Sequence, residues 1–181
     1  MLKRVAALLL LVGLCLPYGC DVRPITGVWH DVLAIFFLGI PVIATVIYSL
    51  HTLVPPIRAF HDRHAAVLHG VLRVVYFGLI GGYLAFAVKH RDEMPGLIET
   101  ALALVVTGVL IVWQERRGTK AARLPLLLLT VVGVPEVAYL AALLHGGDVR
   151  VGAWVFTAGW VLGVLTEMLT LAGAPIIAHG G

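Results

Sequence analysis

Residues Leu124 to Leu144 form an uninterrupted run of 21 largely apolar residues, with Gly133-Val134-Pro135-Glu136 near its middle. As a helix, that length crosses a bilayer, for which about 20 apolar residues are needed. A carboxylate at the centre of such a segment costs about 2.5–3.5 kcal/mol on insertion scales. Pro135 adds a second cost at the same depth, because it removes one backbone donor and frees the carbonyl a turn earlier. A helix carrying both is expected to have polar neighbours there, and the rest of the chain has to supply them.

The composition points the same way. Hydrophobic residues make up 60% of the chain, charged residues 13%, and the mean hydropathy is +1.00; a soluble domain carries about 25% charged residues. No polar stretch is long enough for a separate soluble domain. We therefore expect an all-α fold, a polytopic transmembrane helical bundle. Residues 1–20 form a signal-like or first transmembrane segment, and 21–181 a single transmembrane helical domain. No basic block or aromatic-interleaved patch suggests nucleic acid. The expected partners are the lipid bilayer and other membrane subunits.

Met1 to Gly19 has the layout of a secretory signal: Lys3 and Arg4, an apolar stretch from Val5 to Leu16, then Pro17-Tyr18-Gly19. Gly19-Cys20 resembles the end of a bacterial lipobox, which Pro17 and Tyr18 fit poorly. The alternatives are an uncleaved first helix and a cleaved or lipidated signal. Five further spans follow: Val32–Val54, Ala65–Val88, Gly96–Trp113, Leu124–Leu144 and Val151–Ile177. The bundle thus has six spans, or five if the N-terminal segment is removed. Pro55-Pro56 ends the second span, Gly39-Ile40-Pro41 is expected to kink it, and Ile57 to His64 reads as a short loop. Lys and Arg divide eight to four between alternate sides. That bias places the C-terminus in the cytoplasm, and the signal-like N-terminus and short loops suggest a bacterial inner membrane.

Gly39 to His51 matches Gly133 to His145 at five of thirteen positions, including Gly, Pro and His. The two spans run in opposite directions, so the match suggests an inverted three-helix repeat, a recurring transporter plan.

Depth, at about 1.5 Å per residue, groups the buried charges. Glu136 lies about 18 Å, Glu167 about 15 Å and Arg73 about 12 Å from the cytoplasmic ends of their spans. His69 is one turn from Arg73 on the same face. Glu136, Glu167, Arg73 and His69, with Pro135 loosening the backbone, are the candidate transport or ion-coupling residues, since a proton pathway needs buried groups that exchange a proton. The structural alternative is an interhelical ion pair that pins the bundle. Thr130, Thr157, Thr166 and Thr170 either line a path or, as is more usual, bond back to their own helix.

His51 and His69 are candidate ligands of a b-type haem. Haem b is the one cofactor the residues suggest. His30, His90 and His145 lie in polar loops, and no metal site is assigned to them. Soluble-enzyme signatures are missing: no nucleophile elbow, phosphate-binding glycine loop or His-Glu zinc helix occurs. Three functions follow: a small transport or proton/cation-coupling protein, a non-catalytic subunit or assembly factor of a larger membrane complex, and a haem-b electron carrier. An enzyme acting on lipid within the bilayer is the remaining, weaker alternative.

Overall fold

The computed structural model describes residues 1–17, 39–89, 106, 108–117, 119–146 and 149–173. Side chains are described throughout these except at 40–41, 79, 83–84, 86–89, 134–143 and 145–146. All regular structure among the described residues is helical: α1 (Leu2–Cys15), α2 (Ile40–Leu53), α3 (Pro55–Arg63), α4 (Ala65–Lys89), α5 (Lys120–Gly146) and α6 (Val151–Leu171), with a further helical stretch at 108–115.

The first half of the apolar run Leu124–Leu144 forms the centre of the bundle. In α5, every residue from Leu124 to Gly133 is buried, on all sides of the helix. A helix that is apolar all round belongs in the interior. Around it pack α2, α4 and α6, with the end of α3 against its beginning.

α1 lies antiparallel on α6, and contacts that advance along one helix recede along the other. Lys3 meets Glu167, Leu10 meets Gly159, Gly13 meets Phe156, and Pro17 accepts a hydrogen bond from the Gly152 N–H at 3.0 Å. Gly13, Gly152 and Gly159 allow this approach. A Cβ on Gly159 would stand 2.9 Å from the Leu10 backbone nitrogen, and one on Gly13 would stand 2.7 Å from the Phe156 Cβ. Close approach through small residues is how membrane helices gain packing without a hydrophobic drive between them. The Ser49 hydroxyl donates to the Ala7 carbonyl at 3.3 Å, tying α2 to α1, and the Trp160 indole donates to the Leu129 carbonyl at 2.8 Å, tying α6 to α5.

The segment expected to be a loop after Pro55-Pro56 is a helix. Val54, before a proline, is extended at φ −114° and ψ 101° and stops α2. The prolines then occupy the first turn of α3, where a missing N–H has no intrahelical partner to lose. The same two residues end one helix and begin the next, and α2 and α3 meet at 111°.

Two helices among the described residues are long and apolar enough to cross a membrane, Ala65–Gly82 within α4 and Val151–Leu171, or three if the bent pair α2–α3 is one span. A helical class with membrane-length elements is what the described residues support; the count of six is not reached among them. α6 also ends earlier than the sixth span, at Leu171, followed by Gly173 at φ +71°. The inverted repeat includes segments outside the described residues.

Candidate functional site

One end of the bundle holds a cavity of about 350 Å³. Its wall takes Lys3 from α1, His51 and Thr52 from α2, Arg58 and Asp62 from α3, Ala121, Ala122 and Pro125 from α5, and Glu167 and Thr170 from α6. Five helices therefore contribute to one space. Two basic side chains, Lys3 and Arg58, and two acidic ones, Asp62 and Glu167, face it.

Its innermost charge is Glu167, whose side chain is 3% exposed. The Lys3 ammonium, 36% exposed, donates to its Oε2 at 2.6 Å. The antiparallel register of α1 and α6 sets this pair, because it brings the start of α1 level with the last turn of α6. α6 stops at Leu171, so Glu167 lies about 6 Å of helix rise from that end.

Arg58 fixes the opposite wall. Its Nε donates to the His51 carbonyl at 3.2 Å and its Nη2 to the Thr52 carbonyl at 2.9 Å. These carbonyls lie in the last turn of α2, where no intrahelical donor is available. Arg58→Ala is expected to lower stability by about 1 kcal/mol, since the side chain is exposed and such bonds compete with water. Thermal unfolding of the detergent-solubilised protein would measure it, and an unchanged midpoint would remove Arg58 as the cap.

The His51 and His61 rings are stacked, 5.5 Å apart and 8° from parallel. His51 is buried, and the Nδ1 atoms of both rings are buried without a hydrogen-bond partner among the described residues. Such atoms are ready to bond a visiting group or water. Among the described residues, no three His, Cys, Asp or Glu side chains are grouped to hold a metal ion.

The other candidates lie elsewhere. Arg73 pairs with Glu115 at the end of the 108–115 stretch. His69 sits on the buried face of α4 with Ala65 and Tyr76, in the electrostatic field of Arg73 and Arg123. Arg73 and Glu167 therefore have separate partners, where depth alone had grouped them. His51 and His69 likewise have different neighbours. Pro135 and Glu136 are within α5, and their side chains lie outside the described residues. All four threonines bond back to their own helix: Thr130 to Leu126, Thr157 to Ala153, Thr166 to Leu162 and Thr170 to Thr166, at 2.7–2.8 Å.

Lys3, Arg58, His61 and Asp62 were not singled out together by the sequence. Lys3 has the look of an ordinary basic leader residue. The others carried a usable signal, because 58, 61 and 62 share a helical face once Pro55-Pro56 is read as a helix start. Comparison with known protein families, with curated proteins and with solved structures returns no match.

Proposed function

We propose that this chain is a multi-pass membrane protein of the transport or ion-coupling class, with Glu167 as its exchanging carboxylate. The observation that carries the reading is the Lys3–Glu167 pair, buried on the carboxylate side, on the wall of a polar cavity. In this reading the carboxylate, neutralised by a partly exposed ammonium, serves as an exchange site. A proton or small cation entering the cavity competes with Lys3 for Glu167, and its departure restores the pair. His51 and Asp62 supply further polar groups along the wall. Glu136 in α5 is the second carboxylate of the pathway in this reading. In this reading the chain keeps its N-terminal segment and is a six-span bundle in a bacterial inner membrane with a cytoplasmic C-terminus.

The experiment is proton flux into vesicles carrying the purified chain, driven by a potassium-diffusion potential and read with a trapped pH dye. Flux well above that of protein-free vesicles is expected. Equal rates, repeated with sodium and potassium gradients, would overturn the reading.

A second reading, a non-catalytic subunit of a membrane complex, is favoured by the large apolar side chains exposed along α4 and α6, such as Val74, Phe77, Trp154 and Leu165. Lipid covers such residues equally well, and stable co-purification of a partner would favour the subunit.

A further inference from the structure

We propose that α3 lies in the plane of the membrane surface, with Pro55, Pro56, Ala59 and Phe60 seated at the boundary between lipid headgroups and acyl chains, so that the helix roofs the polar cavity. The inference rests on the membrane reading above and adds the surface by which this helix meets lipid.

Helical spacing divides α3 into two edges. At 100° per residue, Arg58, His61 and Asp62 share one side with Ile57 at its border, and Pro55, Pro56, Ala59 and Phe60 share the other around Arg63. The structure says which side is inward: Arg58 and Asp62 line the cavity, and His61 stacks on the buried His51. No residue of α3 is buried, and Phe60 is 57% exposed. A helix on a water-facing surface has the reverse order, apolar side inward and polar side outward. Here Arg58, His61 and Asp62 turn toward the cavity and the His51 ring, and four of the five residues on the outward edge are apolar, with Arg63 the exception, which fits surroundings that are themselves apolar.

The chain on either side supports lipid as the occupant. Immediately after α3, Val67, Val71, Val74 and Phe77 form an exposed apolar stripe on α4, on the side away from buried Ala65, His69 and Tyr76. The outward apolar edge of α3 therefore leads in sequence into a stripe of membrane-length helix. The 111° bend at Val54 turns α3 across the direction of α2 instead of along it. Arg63, exposed in the last turn, has the length to carry its guanidinium up to headgroup phosphates while its stem stays on the apolar edge.

The test uses spin labels on cysteines introduced singly at Phe60, Val71 and Arg116, with Cys15 and Cys20 replaced by serine. The full chain is placed in vesicles of phosphatidylethanolamine and phosphatidylglycerol. Collision of each label with oxygen, which favours lipid, is compared with collision with a nickel chelate, which stays in water. All three positions are exposed, so folding is retained. An oxygen-to-nickel ratio at Phe60 near that at Val71, and about tenfold above that at Arg116, is expected for a helix sunk about 5–10 Å into the boundary. A Phe60 ratio equal to that at Arg116 would overturn the inference by placing α3 in water. Shielding of Phe60 from both reagents would overturn it by placing a protein there. Failure of the membrane reading itself is distinguishable, because Val71 would then match Arg116 as well.

Discussion

Replacing Gly159 by leucine is expected to destabilise the protein by about 3 kcal/mol or more, at the upper end of overpacking effects. The reason is what a side chain there would meet. A Cβ alone stands 2.9 Å from the Leu10 backbone nitrogen and 3.2 Å from the Ala6 carbonyl oxygen. Backbone cannot swing aside as a side-chain tip can, so the whole of α1 must move off α6. Ala6, Ala7, Leu10 and Leu14, all buried, would lose their packing together. Glycine to alanine at the same position is expected to give a smaller loss in the same direction. Thermal unfolding of the solubilised protein, followed by circular dichroism, would read both. An unchanged midpoint for Gly159→Leu would mean that α1 does not pack on α6 as described.

Lys3→Met has the second large effect, and it acts through charge instead of volume. Removing one partner of a buried ion pair costs about 3–5 kcal/mol, because the other charge is left without compensation. Lys3 is 36% exposed, so solvent screens part of this and about 2 kcal/mol is expected. The double variant Lys3→Met, Glu167→Gln removes the stranded charge and is expected to recover most of the loss. Non-additivity of that kind reports direct contact between two residues. If the two substitutions simply added, the pair would not be coupled.

The sequence made the helices legible where apolar runs were long. Ala65–Lys89 and Lys120–Gly146 follow the third and fifth spans closely, and the run with Pro135 and Glu136 is part of the central helix. The threonines also behaved as their chemistry suggests, each hydroxyl meeting the carbonyl one turn back. What stayed hidden depended on how helices end and meet. Pro55-Pro56 reads as a stop, and the same residues start α3. α6 ends at Leu171, just before a left-handed Gly173, yet the sequence stays apolar through Ile177 and so hides that helix end. Depth counted along separate spans also carries no information on which faces meet. Arg73 and Glu167 come out at similar depth, but the former pairs with Glu115 and the latter with Lys3, a residue 164 positions away. That pairing follows from the register of α1 on α6, which small residues at Gly13 and Gly159 permit and no local pattern announces.

Glu167→Gln tests the central claim most directly, because it keeps the shape of the side chain and removes the exchangeable charge. The measurement is proton flux in vesicles matched for protein content, alongside the helical spectrum of the same preparation. The account predicts a loss of flux of about tenfold or more, the scale on which removing a positioned proton-transfer group acts, with the helical spectrum unchanged. A folded Glu167→Gln protein that conducts protons as the parent does would contradict it.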